Sequence, residues 1–397
     1  MDHAENELLT RIGPGTAAGE TLRNYWLPVG LSSEIDSGAP KLVRWLGEDL
    51  LLFRDEFGRV GLTEPTCPHR GASLDYGWIE AGGIRCCYHG WVFDVNGRCL
   101  EQPGEPTASS FKDKIRLKAY PVRELGGLLW AYLGSGQAPE LPNYHFLVRD
   151  DGERVFSDYV RECNYMQQLE NALDPVHATI LHGRPVHGIP AAPEWMETPD
   201  FNVTATDHMA YYVARRKGPE PGTEWHREVA YVPPIMVVHH GGSLPGDSPA
   251  EMVDVAWRMP IDDYTTRTFT LKFFPSQIGG KHGNEEKQAR PKRPPLMRGT
   301  RRQWDMATIN GQDNAAQVGQ GPIVDRTREH LGHSDRGVIQ VRKLWKSAIE
   351  TSLRGQELPN LLRNPRQNRL VHVDVVERLV KAGELRNHVP NIVYVGE

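Results

Sequence analysis

The spacing of hydrophobic residues changes partway along the chain, and this change predicts two regions of different structure. Over residues 42–133 the apolar positions come in short alternating or β-branched runs, separated by turn signals such as Asn96-Gly97. This pattern is typical of antiparallel strands joined by tight turns. Residues 8–26, just before them, show helical spacing. We therefore predict a helix packed against a small all-β domain.

Residues 134–144 are rich in Pro and Gly and predict a linker, after which longer strands and helices are mixed. The elements predicted there are strands at 209–214, 252–257 and 268–274 and amphipathic helices at 337–354 and 374–382. The pattern therefore predicts a β region followed by a mixed region, with an N-terminal domain at 1–143 and a second domain at 144–397.

One further segment, residues 276–302, is polar, basic and rich in Gly and Pro. We interpret it as a mobile surface loop, and a lid over an active site is the alternative interpretation. Aromatic residues do not alternate with its charges, which argues against a nucleic-acid-binding tail.

Composition and charge narrow the classes of partner. The chain has 397 residues, 39% of them hydrophobic, and a formal net charge of −5, so it can bury a sizeable core but has no basic excess to neutralise phosphates. The best apolar run, residues 125–133, is too short to span a bilayer, and the acidic first residues differ from a secretory signal. We therefore expect a soluble cytoplasmic protein that binds neither nucleic acid nor membrane.

Two short motifs each offer one thiolate and one imidazole. They are Cys67-x-His69 and Cys86-x-x-His89, with sixteen residues between them. Two Cys on one iron and two neutral His on the other form the ligand set of a Rieske [2Fe–2S] cluster, a one-electron carrier with a potential of roughly −150 to +300 mV. The alternative is structural zinc, for which two Cys and two His are also suitable ligands.

The remaining cysteines show no disulfide pattern. Cys87, Cys99 and Cys163 are an odd set without regular spacing and are interpreted as small buried residues. One local ambiguity remains, because Cys87 and His89 form a C-x-H motif of their own. Thiolate-bound iron fits a reducing compartment.

Residues 170–182 contain a second candidate metal site, with the spacing E-x3-D-x2-H-x4-H. Asp174 and His177 share one face of a helix, but His177 and His182 would lie about 140° apart around an ideal helix axis. Both can face one metal only if the helix distorts or ends between them, and Gly183 supplies a possible terminus. Two imidazoles and one carboxylate form the facial triad of non-haem Fe(II) oxygenases.

The residues around both motifs resemble those of Rieske-type non-haem iron oxygenases, specifically the phthalate-dioxygenase-like group, whose oxygenase has one kind of subunit. The segments that carry the resemblance are 67–74, 86–94 and 170–182, and more weakly 321–326 and 329–335. It implies that Cys86 rather than Cys87 binds the cluster, together with Cys67, His69 and His89. It also implies the α+β fold class, with a helix-grip second domain in which an antiparallel sheet is flanked by helices, and assembly as a homotrimer or hexamer.

The resemblance further implies roles for residues of the second domain. His177 and His182 would bind a mononuclear Fe(II), with Asp313 as the third ligand. Asp174 would link a Rieske histidine to the iron site of the neighbouring subunit in a ring-shaped trimer. Rival ligands are Asp305, Asp325 and His187. Glu170 is expected to orient the ligands rather than to bind metal.

The function that we predict is that of an oxygenase component. It would accept electrons from a separate NAD(P)H-dependent reductase and use O2 to hydroxylate, dihydroxylate or O-demethylate an aromatic, carboxylated substrate. No Gly-rich dinucleotide fingerprint follows a strand in the sequence, so NAD(P)H oxidation is assigned to the partner. The alternative from another class is a Rieske electron-transfer protein whose C-terminal domain only binds a small molecule.

Two other polar clusters receive structural interpretations. Arg215-Arg216-Lys217 is interpreted as a charged strand end, with the binding of a substrate carboxylate as the alternative. His239-His240 is interpreted as the end of a strand, because adjacent side chains point to opposite faces of an extended segment.

Overall fold

The computed structural model describes residues 1–35, 38–183, 197–240, 252–276, 306, 308–385 and 387–395. The chain divides into two compact units, which we call the N-terminal unit (Ile12–Leu141) and the C-terminal unit (Met1–Arg11 with Pro142–Glu397). This division differs from the predicted domains 1–143 and 144–397 chiefly because the first residues belong to the C-terminal unit. Apart from Ser276, the predicted loop or lid at 276–302 lies outside the described residues.

Helix α1 (His3–Thr10) is fixed to the C-terminal unit by buried hydrogen bonds. Asn6 donates through Nδ2 to the carbonyl of Val324 at 3.1 Å, and the hydroxyl of Tyr165 donates to the carbonyl of Leu9 at 2.7 Å. Because these groups are enclosed, losing either partner would leave an unsatisfied polar atom. Helix α1 therefore belongs to the C-terminal unit, although it comes first in the sequence.

The single helix predicted over 8–26 is wrong. Helix α1 ends at Thr10, α2 covers Ala17–Arg23, and a strand begins at Trp26. Between the helices, Gly15 has φ of +80°, outside the helical region, and Pro14 has no N–H to donate. The helical spacing on either side of this interruption produces the appearance of one continuous element.

The rest of the N-terminal unit consists of short strands, as predicted. They are β1 (Trp26–Leu31), β2 (Lys41–Trp45), β3 (Glu48–Arg54), β4 (Val60–Thr63), β5 (Trp78–Glu80), β6 (Gly83–Arg85), β7 (Val92–Phe93), β8 (Cys99–Glu101), β9 (Ala119–Tyr120), β10 (Val122–Leu125) and β11 (Leu128–Tyr132). They form antiparallel sheets in the orders β1-β11-β10, β2-β3-β4-β9 and β5-β6-β7-β8. The predicted turn at Asn96-Gly97 joins β7 to β8, with φ of +78° at Gly97. Buried Phe53, Leu74 and Ile84 belong to the core that supports the loops between these strands.

The C-terminal unit mixes helices with one large sheet. Its elements are α3 (His145–Val148), β12 (Gly152–Arg161), α4 (Tyr165–Ala172), α5 (Pro175–Ile180), β13 (Asp200–Ala205), β14 (Ala210–Lys217), β15 (Thr223–Val232), β16 (Met236–His240), β17 (Val253–Asp262), β18 (Thr265–Pro275), α6 (Ile309–Gly319), α7 (Arg336–Leu353), β19 (Leu370–Asp374), β20 (Glu377–Lys381) and β21 (Asn391–Val395). The sheet is antiparallel in the order β12-β18-β17-β16-β15-β14-β13, β20 also pairs with β15, and β19 pairs with β21. Helix α7 packs against α4, β13 and β14. The predicted α+β fold is confirmed.

Most predicted elements of this unit are present. The three predicted strands fall within β14, β17 and β18, the helix at 337–354 is α7, and β16 ends at His240. The helix predicted at 374–382 is wrong, because this segment forms strand β20, which pairs with Thr223–Arg227 of β15. In the described part of the chain, no helix combines the length and the hydropathy needed to cross a membrane.

Candidate metal centres

The Cys/His motifs lie in two loops of the N-terminal unit that share one backbone conformation. The carbonyl of Cys67 accepts a hydrogen bond from the N–H of Gly71 at 2.9 Å, and the carbonyl of Cys86 accepts one from the N–H of Gly90 at 3.0 Å. Both glycines have φ of +74°, a value that favours glycine over residues with a Cβ. Two equal tight turns therefore present the two cysteines and the histidines that follow them.

The four predicted cluster ligands come together at these turns. The imidazoles of His69 and His89 have centroids 4.4 Å apart, and the side chains of Cys67 and Cys86 are buried, whereas Cys87 is exposed. Burial raises the pKa of the Cys67 thiol to about 12, and the nearby Cys86 adds to the rise. Two enclosed thiols beside two imidazoles fit a [2Fe–2S] cluster, because metal binding deprotonates such thiols outright.

The second motif lies where helix α4 gives way to α5. Asp174 is the N-cap of α5, and its Oδ1 accepts hydrogen bonds from two backbone N–H groups of the first turn, at 2.8 and 3.3 Å. Pro175 occupies the first turn of the helix, where its missing N–H is not needed. Because α5 ends at Ile180, His182 lies beyond the helix. The interruption that the spacing of His177 and His182 requires is therefore present.

Three predicted metal ligands meet in the C-terminal unit. The ligand atoms of His177, His182 and Asp313 all lie within 4.8 Å of one another, and Nε2 of His182 is 3.4 Å from Oδ1 of Asp313. Burial alone would raise the pKa of Asp313, but His182 and the guanidinium of Arg161 hold it at about 2. The Asp313 carboxylate, which α6 supplies, is therefore ionised, as a metal ligand must be.

Arg161 at the end of β12 determines which oxygen of Asp313 faces the two imidazoles. Its Nη2 donates to Oδ2 at 3.3 Å, whereas Oδ1 is buried and receives no hydrogen bond from the described residues. A buried anionic oxygen without a partner is unfavourable, and a divalent cation would satisfy it. One carboxylate oxygen and two imidazole nitrogens are the donor set of the facial triad that holds non-haem Fe(II), so these residues fit that metal.

Hydrogen bonds behind the two imidazoles fix which nitrogen faces the site. Nδ1 of His177 donates to the carbonyl of Asp174, and Nδ1 of His182 donates to Oε1 of Gln312 at 2.7 Å. Both Nε2 atoms are then acceptors, and that of His177 receives a hydrogen bond from Nδ2 of Asn171 at 3.2 Å. Burial lowers the pKa of His177 below its ordinary value, although nearby carboxylates oppose the shift. A neutral imidazole is the form that binds metal.

The other candidate residues do not belong to this group. His187 and Asp305 lie outside the described residues. Asp325 is exposed and accepts a hydrogen bond from the N–H of Thr327 at 3.1 Å. Glu170 forms ion pairs with Arg326 at 2.8 Å and with Arg342 at 2.7 Å, so that it connects α4 with α7. Any effect of Glu170 on the ligands is therefore exerted through the position of α4.

A cavity of about 150 Å³ lies beside the three predicted ligands. Its apolar wall comes from Val229, Val237, Ala256 and Ile309. Its polar wall includes Arg227 and Arg258, of which Arg258 donates through Nη1 to the hydroxyl of Thr268 at 3.2 Å, and Arg227 lies 3.6 Å from Glu377. Burial raises the pKa of Glu377 to about 7, so this carboxyl neutralises Arg227 only in part near neutral pH. Two cations and an apolar surface suit an anionic organic molecule.

The sequence analysis missed these two arginines and considered Arg215-Arg216-Lys217 instead. Arg216 does not line the cavity: its Nη2 donates to the hydroxyl of Thr179 at 2.9 Å and connects β14 with α5. A signal for Arg227 and Arg258 is present in the alternation along β15 and β17, because each lies two positions from an apolar residue of the cavity wall. A charged residue on the interior face of a strand is unusual, and this feature could have identified both arginines as candidate binding residues.

Comparison with known protein families gives two matches, one in each of the two units of the structure. Residues 25–121 match the family described as the Rieske [2Fe-2S] domain, and residues 161–351 match the vanillate O-demethylase oxygenase C-terminal domain. The first match lies within the N-terminal unit and the second within the C-terminal unit. A Rieske domain binds a [2Fe–2S] cluster, which rules out the alternative of structural zinc.

Individual relatives extend the similarity over most of the chain. The 5,5'-dehydrodivanillate O-demethylase oxygenase subunit of Sphingobium sp. is 36% identical over 383 residues, which are 94% of this chain and 86% of that protein. The phthalate 4,5-dioxygenase oxygenase subunit of Pseudomonas putida is 32% identical over 382 residues, 89% of this chain and 87% of that protein. Among solved structures, NdmA of Pseudomonas putida CBB5 has a TM-score of 0.65 at 20% identity, covering 85% of this chain and 94% of that one, which shows a shared fold.

Proposed function

Because this chain belongs to the Rieske non-haem iron oxygenases, we propose that it is the oxygenase component of a multicomponent system that oxidises an aromatic carboxylate. A separate NAD(P)H-dependent reductase supplies the electrons, and O2 is used for hydroxylation, dihydroxylation or O-demethylation. The observation that carries this proposal is the group of His177, His182 and Asp313 beside a cavity that also contains two arginines.

The ligands of the [2Fe–2S] cluster are proposed to be Cys67, Cys86, His69 and His89. The burial of both cysteines and the close approach of both imidazoles support this assignment. His69 also stacks on the indole of Trp91, with centroids 4.5 Å apart and an angle of 5° between the rings. A ring held in this way keeps a fixed orientation, which a ligand of a redox centre needs.

The mononuclear iron that oxygenase components of this family carry is proposed to bind to His177, His182 and Asp313. When bound, Fe(II) supplies the one-electron chemistry that activates O2. The residues of the chain keep both imidazoles in the form with Nε2 as an acceptor, hold Asp313 ionised and leave a cavity beside the ligands for the substrate.

Asp174 is proposed to connect this site with a cluster-binding histidine of a neighbouring subunit in a homotrimer. Only Oδ1 of its carboxylate caps α5, and the side chain is 26% exposed, so Oδ2 can accept a hydrogen bond from another subunit. The backbone carbonyl of the same residue accepts a hydrogen bond from His177. One residue thus reaches both a metal ligand and the surface of the chain.

A carboxylated substrate is supported by the charges of the cavity. The guanidinium groups of Arg227 and Arg258 can pair with a carboxylate, and the apolar wall opposite them can contact an aromatic ring. An uncharged analogue of the same shape would leave both guanidinium groups without that partner.

Iron analysis and electron paramagnetic resonance test the metal content. The proposal predicts about three iron atoms per chain, two in the Rieske cluster and one bound to the His and Asp ligands. The Rieske signal should appear on reduction, and nitric oxide should give a separate signal from the mononuclear Fe(II). About two iron atoms per chain, with no nitrosyl signal, would identify an electron carrier instead.

Turnover assays with a reductase test the substrate class. Benzoate, phthalate and methoxybenzoate compounds are compared with their methyl esters, and labelled O2 followed by mass spectrometry identifies the reaction type. Arg258→Met should raise KM for the acid by about 10- to 150-fold, because hydrogen bonds to charged groups contribute about 1.5–3 kcal/mol. The matched control is Arg267→Met on β18, where the arginine pairs with Asp158 at 2.9 Å and does not line the cavity. Equal turnover of acids and esters by the unmodified protein would contradict the proposal.

A further inference from the structure

Gln312 is a buried amide directly behind one of the proposed metal ligands. Its side chain is 1% exposed, its Oε1 accepts a hydrogen bond from Nδ1 of His182 at 2.7 Å, and its Nε2 donates to the carbonyl of Met306 at 2.9 Å. Both ends of the amide are therefore occupied. Within the proposed function of the site, we propose that Gln312 is a positioning residue that sets the tautomer and the ring orientation of His182.

The orientation of the amide follows from the chemistry of its partners. A backbone carbonyl can only accept hydrogen bonds, so the amide nitrogen of Gln312 must face Met306. The amide oxygen must then face His182, and because this oxygen also only accepts, Nδ1 of the imidazole must carry the proton. A neutral imidazole has one N–H, so its Nε2 keeps a lone pair.

The competing tautomer would close the metal site. With the proton on Nε2, His182 could donate to Oδ1 of Asp313, which lies 3.4 Å away. That hydrogen bond would occupy two of the three proposed ligand atoms at once. It would also bring the lone pair of Nδ1 against the amide oxygen of Gln312, with both acceptors unsatisfied. Gln312 therefore disfavours the arrangement that excludes a metal.

Helix α6 couples this effect to the third ligand. Gln312 and Asp313 are consecutive residues of α6, whose N-cap, Thr308, accepts a hydrogen bond from the N–H of Gly311 at 2.9 Å. Successive residues of a helix point about 100° apart, which lets Asp313 contribute a ligand atom while Gln312 contacts the back of His182. One helix end thus supplies one ligand and orients another.

Metal titration tests this role without measuring turnover. The mononuclear iron is removed with a chelator, and Co2+ binding is followed by its electron paramagnetic resonance signal, to which the oxidised Rieske cluster does not contribute. Far-ultraviolet circular dichroism reports whether both units remain folded. The variants are Gln312→Leu, which has no acceptor, and Gln312→Glu, which keeps an acceptor oxygen. The matched control is Gln168→Leu, since Gln168 is also fully buried but accepts from the hydroxyl of Thr268 at 2.9 Å.

We expect Gln312→Leu to weaken Co2+ binding by about 10- to 100-fold and to change the shape of the Co2+ resonance signal, because loss of a residue that orients a metal-binding histidine has effects of this size. Gln312→Glu and the control should stay within about threefold of the unmodified protein. If Gln312→Leu does not fold, Gln312→Met provides the same comparison, since it too lacks an acceptor oxygen.

Two outcomes overturn the inference. Gln312→Leu, or Gln312→Met in its place, could bind Co2+ as tightly as the unmodified protein. Alternatively, the control Gln168→Leu could weaken Co2+ binding as much as Gln312→Leu, which would show that any substitution of a buried amide has this effect. Failure of the unmodified protein to bind Co2+ would instead contradict the proposed metal site itself. The two failures are therefore distinguishable.

Discussion

Replacing Asp174 with Asn separates the structural role of this residue from its proposed role between subunits. The side chain caps α5 through Oδ1, which accepts hydrogen bonds at 2.8 and 3.3 Å. Asn is about as effective as Asp at an N-cap, so the helix start is preserved. The negative charge, on which the proposed hydrogen bond to a neighbouring subunit depends, is removed.

The expected magnitudes are different enough to be measured separately. Asp174→Asn should change the free energy of unfolding by less than about 0.5 kcal/mol, whereas Asp174→Ala, which loses the cap, should cost about 1 kcal/mol. A hydrogen bond to a charged group contributes about 1.5–3 kcal/mol, so both variants should lower turnover by roughly 10- to 150-fold. Metal binding should persist, because His177 donates to the backbone carbonyl of residue 174 and not to its side chain.

The assay combines turnover with saturating reductase, iron content, cluster absorption and urea unfolding. The matched control is Asp325→Asn, because Asp325 also accepts a hydrogen bond at the start of a short helical turn but lies apart from the metal ligands. The control should leave turnover unchanged. The reasoning is refuted if Asp174→Asn with full iron content keeps turnover within about twofold of the unmodified protein, or if it loses iron.

Three further substitutions test other parts of the C-terminal unit. Asp313→Asn should remove the anionic ligand, so that iron falls from about three to about two atoms per chain while the cluster absorption is unchanged; retention of the third iron would contradict the assignment. Glu170→Gln should lower the free energy of unfolding by about 3 kcal/mol in urea titrations, because the buried guanidinium groups of Arg326 and Arg342 lose a shared anion; a loss below about 1 kcal/mol would argue against this network. For Asp254, burial raises the pKa from 3.8 to about 6. The contribution of this carboxyl group to the free energy of unfolding is therefore largest at a pH below about 4 and falls by up to about 3 kcal/mol as the pH rises through about 6. Asp254→Asn should flatten that decline, and an unchanged pH profile of the free energy of unfolding would contradict the burial effect.

The proposed ligands with local spacing are predictable from the sequence, and the proposed third ligand of the metal site is not. Cys67-x-His69 and Cys86-x-x-His89 each fit within one tight turn, so spacing alone brings each pair together. Asp313 has no local relation to the histidine motif, because a long stretch of chain lies between them. By residue type, other aspartates are equal candidates, and only the resemblance to a family distinguishes it.

The helix predicted at 374–382 is wrong because of strand pairing, which the sequence does not specify. Glu377 and Val380 are buried three positions apart, as on a helix, yet their segment is β20. The pairing has a physical reason: β16 covers only Val229–Val232 on that edge of β15, and Thr223–Arg227 needs another partner for its backbone groups. The two arginines of the cavity could not be predicted for the same reason. They come together only through the pairing register of β15, β16 and β17.

The break between α4 and α5 lies at the residue that is proposed to connect two subunits, and it also orients the first histidine of the motif. At Asp174 the side chain starts α5 while the carbonyl orients His177. One residue earlier, the carbonyl of Leu173 is in close contact with Gly337 of α7, where a Cβ would come within 1.8 Å of the oxygen. Only glycine allows α7 to pack so closely against the break, and α7 also carries Arg342, the partner of Glu170 on α4. The break is thus held from behind by a helix that contributes none of the proposed ligands, and the motif E-x3-D-x2-H-x4-H extends from the end of α4 through α5 to His182 beyond it.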